Sequence, residues 1–248
     1  MQARLNPEKI SRTDKAILMG LYLSRFDEAG LKRLGFDTFT EAFNVLGLAV
    51  DAPRGSIKNY RDEFDPLFPN RRKGWHKRPR RENCLKVLEE YGELDFELFT
   101  RLVEAFAGDV ADADEPQGQS QFANRLITGK AAERYFEMVH REVPEFQGCL
   151  LEDTTLLGCG YDFRLSSTSS DEFLAIEVKG LKGKTGGISL TPREYAAAEM
   201  LRHRFFLFVV KNFEETPFHE IFCDPLTLGL NFRRVERTVV QTSWLVNI

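Results

Sequence analysis

The sequence has no unbroken apolar run of the roughly 18 residues that a membrane-spanning helix requires, so no membrane partner is expected. Its opening stretch, MQARLNPEKISRTDK, has no apolar core of the kind a secretory leader carries. Cysteine is scarce. Cys84, Cys149, Cys159 and Cys223 lie far apart and form no C-x-x-C pair, which argues against a zinc site and a disulfide framework. A reducing cytoplasm fits that pattern. No charge of one sign dominates: the net charge of −4 does not by itself announce a nucleic-acid partner. His140, His203 and His219 show no spacing that suggests metal ligation or a catalytic triad. There is no internal repeat.

What is present is enough apolar sequence, 42% of 248 residues, to build one large core or two small ones. The stretch GDVADADEPQGQS is acidic and contains Pro and Gly, and it reads as a linker over residues 108–120. It divides an all-α part, residues 1–107, from a mixed part, residues 121–248. In the first part, Ile17, Leu18, Leu21 and Tyr22 make a helical stripe in a helix starting near Ser11–Asp14. Thr38-Phe-Thr-Glu41 is a capping-box pattern. SIKNYRDEF predicts a short helix with Ile57, Tyr60 and Phe64 inward, and two amphipathic helices follow around 81–91 and 96–106. Short helices with tight turns suggest a helix-turn-helix-like domain.

The second part opens with a predicted helix near 128–141, with Ala132, Tyr135, Phe136 and Val139 inward. Strands are predicted at 149–152, 161–166, 173–179, 188–190, 205–210 and 238–245, with a helix near 192–202. That order predicts an α/β unit with a mixed sheet.

Its sharpest feature is GYDFRLSSTSSDEFLAIEVKG. A turn at Ser169-Ser170 places Asp162 opposite Glu177. Strand alternation sends Leu174, Ile176 and Val178 to one face, and Ala175, Glu177 and Lys179 to the other. Tyr161, Phe163 and Leu165 are expected to share a face, with Asp162 opposite. Two carboxylates at that spacing repel each other, and Mg²⁺ relieves the repulsion with hard oxygen ligands. A lysine beside them can stabilise developing negative charge or orient a water. The same residues would also serve as a solvated hairpin face with a cross-strand Asp–Lys or Glu–Lys pair. The Gly158-Cys-Gly160 bend before the aspartate, the loop GLKGKTGG after the lysine, and a preceding helix bearing Glu133 favour a site.

These residues carry a resemblance. Asp162, Glu177-Val178-Lys179 and an upstream helical glutamate resemble the PD-(D/E)xK nuclease superfamily. More closely, GKAAERYFEMV, GCGYDFRLSS, AIEVKGLKGKTGGISLTPREY and RFFLFVVKN, in that order, are similar to the Mrr-like NO VEIN C-terminal domain of restriction and phage-defence proteins. The resemblance covers about residues 121–248. One departure is Tyr161, which stands where the superfamily has proline. The resemblance implies a restriction-endonuclease-like core with a mixed central sheet flanked by helices. It further implies a Mg²⁺ or Mn²⁺ cofactor bound by Asp162, Glu177 and the Val178 carbonyl. Lys179 would act on the attacking water, and Glu133 would reach in from its helix. Glu194 reads as a first-turn charge favoured by the helix dipole.

The helical part adds a basic segment. Arg54, Lys58 and Arg61, at i, i+4 and i+7, suggest an exposed stripe facing away from Ile57, Tyr60 and Phe64, with Ser56 and Asn59 beside it. Residues 70–81 hold seven Lys/Arg, among them Arg71, Arg72, Lys73, Lys77 and Arg78, with Trp75 and His76 between. Such side chains neutralise phosphates, and Arg or Asn reads base edges. A solvated helix face followed by a basic loop would have the same composition. SIKNYRDEFDP is also similar to the helical domain that precedes some restriction-type nuclease domains. Together these features predict a cytoplasmic prokaryotic Mg²⁺-dependent endonuclease acting on double-stranded DNA. Because one site cuts one strand, a homodimer is expected. The alternatives are a non-catalytic DNA-binding regulator and a nuclease subunit of a multi-protein defence complex. A junction resolvase or RNase is a substrate variant.

Overall fold

A computed structural model describes residues 10–72, 78–108, 119–167 and 172–236, with no account of the side chains of 119–122. The expected linker, the Ser169-Ser170 turn, Lys73, Trp75, His76, Lys77 and the 238–245 strand therefore lie wholly or largely outside the described residues.

Six helices come first: α1 (Arg12–Arg25), α2 (Asp27–Arg33), α3 (Phe39–Ala49), α4 (Ser56–Phe64), α5 (Glu82–Tyr91) and α6 (Phe96–Gly108). Their starts follow local chemistry. The Ser11 hydroxyl accepts from Asp14 N, capping α1. Thr38 caps α3 through Glu41 N, while the Glu41 carboxylate reaches back to Asp37 N. Helices α1 and α4 meet at Gly20, where an added Cβ would lie 2.5 Å from Tyr60 Cβ. Only glycine allows that approach of the two backbones.

Helix α7 (Gln119–Val139) leads into β1 (Cys149–Asp153), β2 (Phe163–Ser167), β3 (Phe173–Gly180), α8 (Pro192–Leu201), β4 (Phe205–Lys211) and β5 (Phe218–Cys223). The five strands form one mixed sheet in chain order. β3 and β4 run parallel, and every other neighbouring pair is antiparallel. Helix α8 makes the crossover that a parallel pair requires. Phe163 pairs with Ile176, which is the register expected for the charged hairpin.

Some predicted features differ, and α7 begins at Gln119 where the helix was expected near 128. Residues 188–190 are loop, and the strand that completes the sheet is β5, with the alternating exposure of an edge strand. Tyr161 does not share a face with Phe163 and Leu165. The chain bends at 158–162, strand pairing begins only at Phe163, and Tyr161 packs instead near Phe173, with ring centroids 5.9 Å apart.

One apolar core runs from α1 through α7 to one face of the sheet. Phe136 on α7 stands at its centre, 4.9 Å from the rings of both Phe163 and Phe208. The other sheet face is also covered. Ala175, Leu207 and Val209 pack there against Ala197, Ala198 and Leu201 of α8. The face expected to be polar thus lies beneath a helix. Among the described residues no helix is long and apolar enough to cross a membrane.

Candidate active site

The site forms where the bend before β2 meets the end of β3. Gly158 and Gly160 both have positive φ, 62° and 89°. A Cβ on Gly160 would lie 2.6 Å from Arg193 O, so the first turn of α8 presses directly on the bend. Asp162 follows. Its backbone N donates to Ile176 O at 2.9 Å, and its Oδ2 accepts from Val178 N at 2.8 Å. One strand end thereby fixes the aspartate by backbone and side chain together.

Glu177 is 1% exposed. Its Oε1 is 2.5 Å from Lys179 Nζ. Lys179 has a second carboxylate, Glu194 Oε2, at 2.9 Å. Glu194 belongs to a full capping box on α8: its Oε2 accepts from Thr191 N at 2.8 Å, and its own N donates to Thr191 Oγ1. Glu133 projects from α7, with Oε2 3.4 Å from Lys130 Nζ, and it feels the charge of Asp162 and Asp153.

Burial governs the electrostatics. It raises the Asp162 carboxyl to about 6, against the Val178 N–H and Lys179, which favour the charged form. It also raises Glu177, and the neighbouring Asp162 pushes in the same direction. Glu133 rises to about 7 through burial, with Asp162 adding to the effect. Burial alone would lower Lys179, but Glu177 and Glu194 outweigh it and hold the ammonium charged. Buried acids whose negative forms are this costly form a donor set that gains from a divalent cation. Among the described residues no three His, Cys, Asp or Glu side chains form a ready metal cage. A Mg²⁺ site does not need one, because this ion keeps several waters and uses one or two carboxylates plus a phosphate. On this ground the residues fit.

The sequence reading thus brings Asp162, Glu177, Val178 and Lys179 together, with Glu133 in electrostatic reach. Glu194 stands in the first turn of α8 as expected, but its ion pair with Lys179 was not foreseen; the signal was the T-x-x-E box opening the helix that covers the E-x-K strand. His140 and His219 are held in local contacts. His140 Nδ1 bonds Glu137 O, and His219 stacks on Phe208 at 4.6 Å.

The N-terminal basic stripe holds at Arg54 and Lys58, which are exposed, and fails at Arg61. Arg54 precedes α4 and reaches Thr216 Oγ1 at 3.3 Å, while Lys58 pairs with Asp62 at 2.7 Å. Arg61 is 8% exposed, not on an open stripe. It pairs with Asp62 at 2.6 Å and lies over the rings of Phe39 and Phe43. Arg72 chelates Asp65 and also pairs with Asp27. A planar guanidinium suits such stacked, bidentate positions, which explains why these arginines turn inward. Arg54, Lys58, Asn59, Arg71 and Arg78 are exposed, and Ser56 is half-buried at the start of α4.

Residues 132–223 match the family described as Protein NO VEIN, C-terminal. The match runs from within α7 to the end of β5 and contains Glu133, Asp162, Glu177, Val178, Lys179 and Glu194. No curated protein and no solved structure matches the chain.

Proposed function

We propose that the chain is a Mg²⁺-dependent endodeoxyribonuclease of the PD-(D/E)xK type, serving prokaryotic restriction or phage defence. The observation that carries this reading is the gathering of two buried carboxylates and one ammonium at the end of β3, with Val178 N on Asp162 and Lys179 Nζ on Glu177. The match of residues 132–223 to the NO VEIN family supports it.

Asp162, Glu177 and the Val178 carbonyl would hold Mg²⁺ or Mn²⁺. The cation supplies charge neutralisation at the scissile phosphate and a lowered pKa for water. Lys179 carries a positive charge to the reacting phosphate and orients the attacking water by hydrogen bonding. Burial beneath α8 excludes bulk water, so each of these charges acts at greater strength. Glu133, whose carboxyl burial raises to about 7, faces the site from α7 and would exchange protons at its edge. Arg54, Ser56, Lys58, Asn59, Arg71 and Arg78 contact duplex DNA from the helical half, and Lys73 and Lys77 extend that surface. Two copies of the chain cut the two strands.

The test is cleavage of supercoiled plasmid with Mg²⁺ by wild type and Lys179→Ala. Wild type gives nicked and linear DNA, and the variant is slower by about 10²–10⁴-fold. Equal cleavage by both removes Lys179 from the chemistry. A wild type that binds but cuts neither methylated nor unmethylated DNA favours a non-catalytic regulator. Cleavage that begins only when a second protein is added favours a subunit of a defence complex.

A further inference from the structure

Lys179 is held by two carboxylates, and only one of them, Glu177, lies in the E-x-K motif. The other belongs to a helix whose start is fixed twice over. Its capping box is complete, and its first turn packs against the glycine bend beside Asp162 with no room for a Cβ at Gly160. Glu194 Oε2 is therefore a rigid point, tied to Thr191 N at 2.8 Å, from which the Lys179 ammonium hangs at 2.9 Å. Glu177 cannot be the lasting anchor, because a carboxylate that serves a cation has less to offer an ammonium. Resting on the nuclease reading above, we propose that Glu194 is the positioning residue of this site: it holds Lys179 Nζ in place from the N-terminus of α8 and keeps it aimed when Glu177 is engaged elsewhere. The same helix end sets the bend that carries Asp162, so α8 aligns both sides of the site.

Helix capping and lysine positioning are separable by one substitution. A Gln side chain fills the T-x-x-E/Q capping box as Glu does, accepting from Thr191 N. It lacks the charge that holds the ammonium. Glu194→Gln is therefore expected to keep the cap and melt well above Glu194→Ala, with kcat for Mg²⁺-dependent DNA cleavage lowered by about 10–100-fold and KM unchanged, as for other groups that orient a catalytic partner. Glu194→Ala loses the cap as well and falls in both melting temperature and kcat. Wild-type kcat in Glu194→Gln would reduce Glu194 to a cap and overturn the proposal. A second readout needs neither metal nor DNA. In thermal unfolding of the metal-free protein, Lys179→Met and Glu194→Gln should be non-additive, because they remove the same contact; strictly additive losses overturn it. Failure of the nuclease reading is distinct, since there the wild type itself does not cut.

Discussion

Asp162 shows how burial and one hydrogen bond compete at a single residue. Burial raises its carboxyl from the ordinary range to about 6, although Val178 N favours the charged form. The consequence for stability has a definite sign. A raised folded-state pKa means that the folded protein holds a proton the unfolded chain releases. Stability is therefore lost as pH rises from about 4 to about 6, and the cost persists above. Asp162→Asn keeps an oxygen for Val178 N and carries no such cost. At pH 8 the metal-free variant should be more stable than wild type by about 1–3 kcal/mol, with the difference vanishing near pH 4. Urea unfolding at the two pH values checks this. Equal stability at pH 8 would place Asp162 in water rather than under α8. At this scale the sequence was readable: the hairpin register that brings Asp162 beside the end of β3 followed from counting residues either side of a serine-rich turn. Charge partners across the fold were not. Arg61 looked like a member of a surface stripe, and nothing local reveals that the rings of Phe39 and Phe43 lie beneath it.

Helix α8 is the element that turns a charged hairpin into an enclosed site. Its apolar face, Ala197, Ala198 and Leu201, covers the sheet face that bears Glu177 and Lys179. Its first turn sits on Gly160. Gly160→Ala would meet Arg193 O at 2.6 Å and strain a backbone held at φ 89°. The variant should lose about 1–3 kcal/mol of stability and most cleavage activity, seen as a lower melting temperature together with a lower kcat. Full activity in that variant would mean that α8 need not press on the bend. The existence of α8 was legible from TPREYAAAEML, which opens on a T-x-x-E box with proline at the first helical position. Its docking was not, because three alanines in a row give a weak amphipathic signal. β5 was missed for a related reason: an edge strand with alternating exposure has few continuous apolar residues.

Across the whole molecule, the helical half and the sheet are joined by more than the chain. Asn44 on α3 donates to Phe213 O and Glu215 O, both at 2.8 Å, in the turn between β4 and β5. Lys182, just beyond Lys179, pairs with Asp37 and with buried Glu41 at the start of α3. The core beneath them is continuous, with Ile127 and Ala131 of α7 fully buried among the helices. Residues 121–248 expressed alone would leave that side of α7 facing water. This fragment is expected to aggregate or to bind a hydrophobic dye, and to cleave far less DNA than the full chain. A monomeric fragment with the melting temperature of the intact protein would show that the helical half is dispensable for folding.

The sequence by itself determined the local order: helix starts through Ser11, Thr38 and Thr191, the hairpin register, and the clustering of Asp162, Glu177 and Lys179. Each of these depends on near neighbours, on strand period or on turn geometry, and short-range rules suffice. Only the tertiary structure decided what surrounds those groups. It buried the carboxylates under α8, gave Lys179 a second partner in Glu194, and drew Arg61 and Arg72 into acidic and aromatic company. Burial arises between segments far apart in the chain, and the energy of even a local charge pair depends on a dielectric that exists only once the chain has packed.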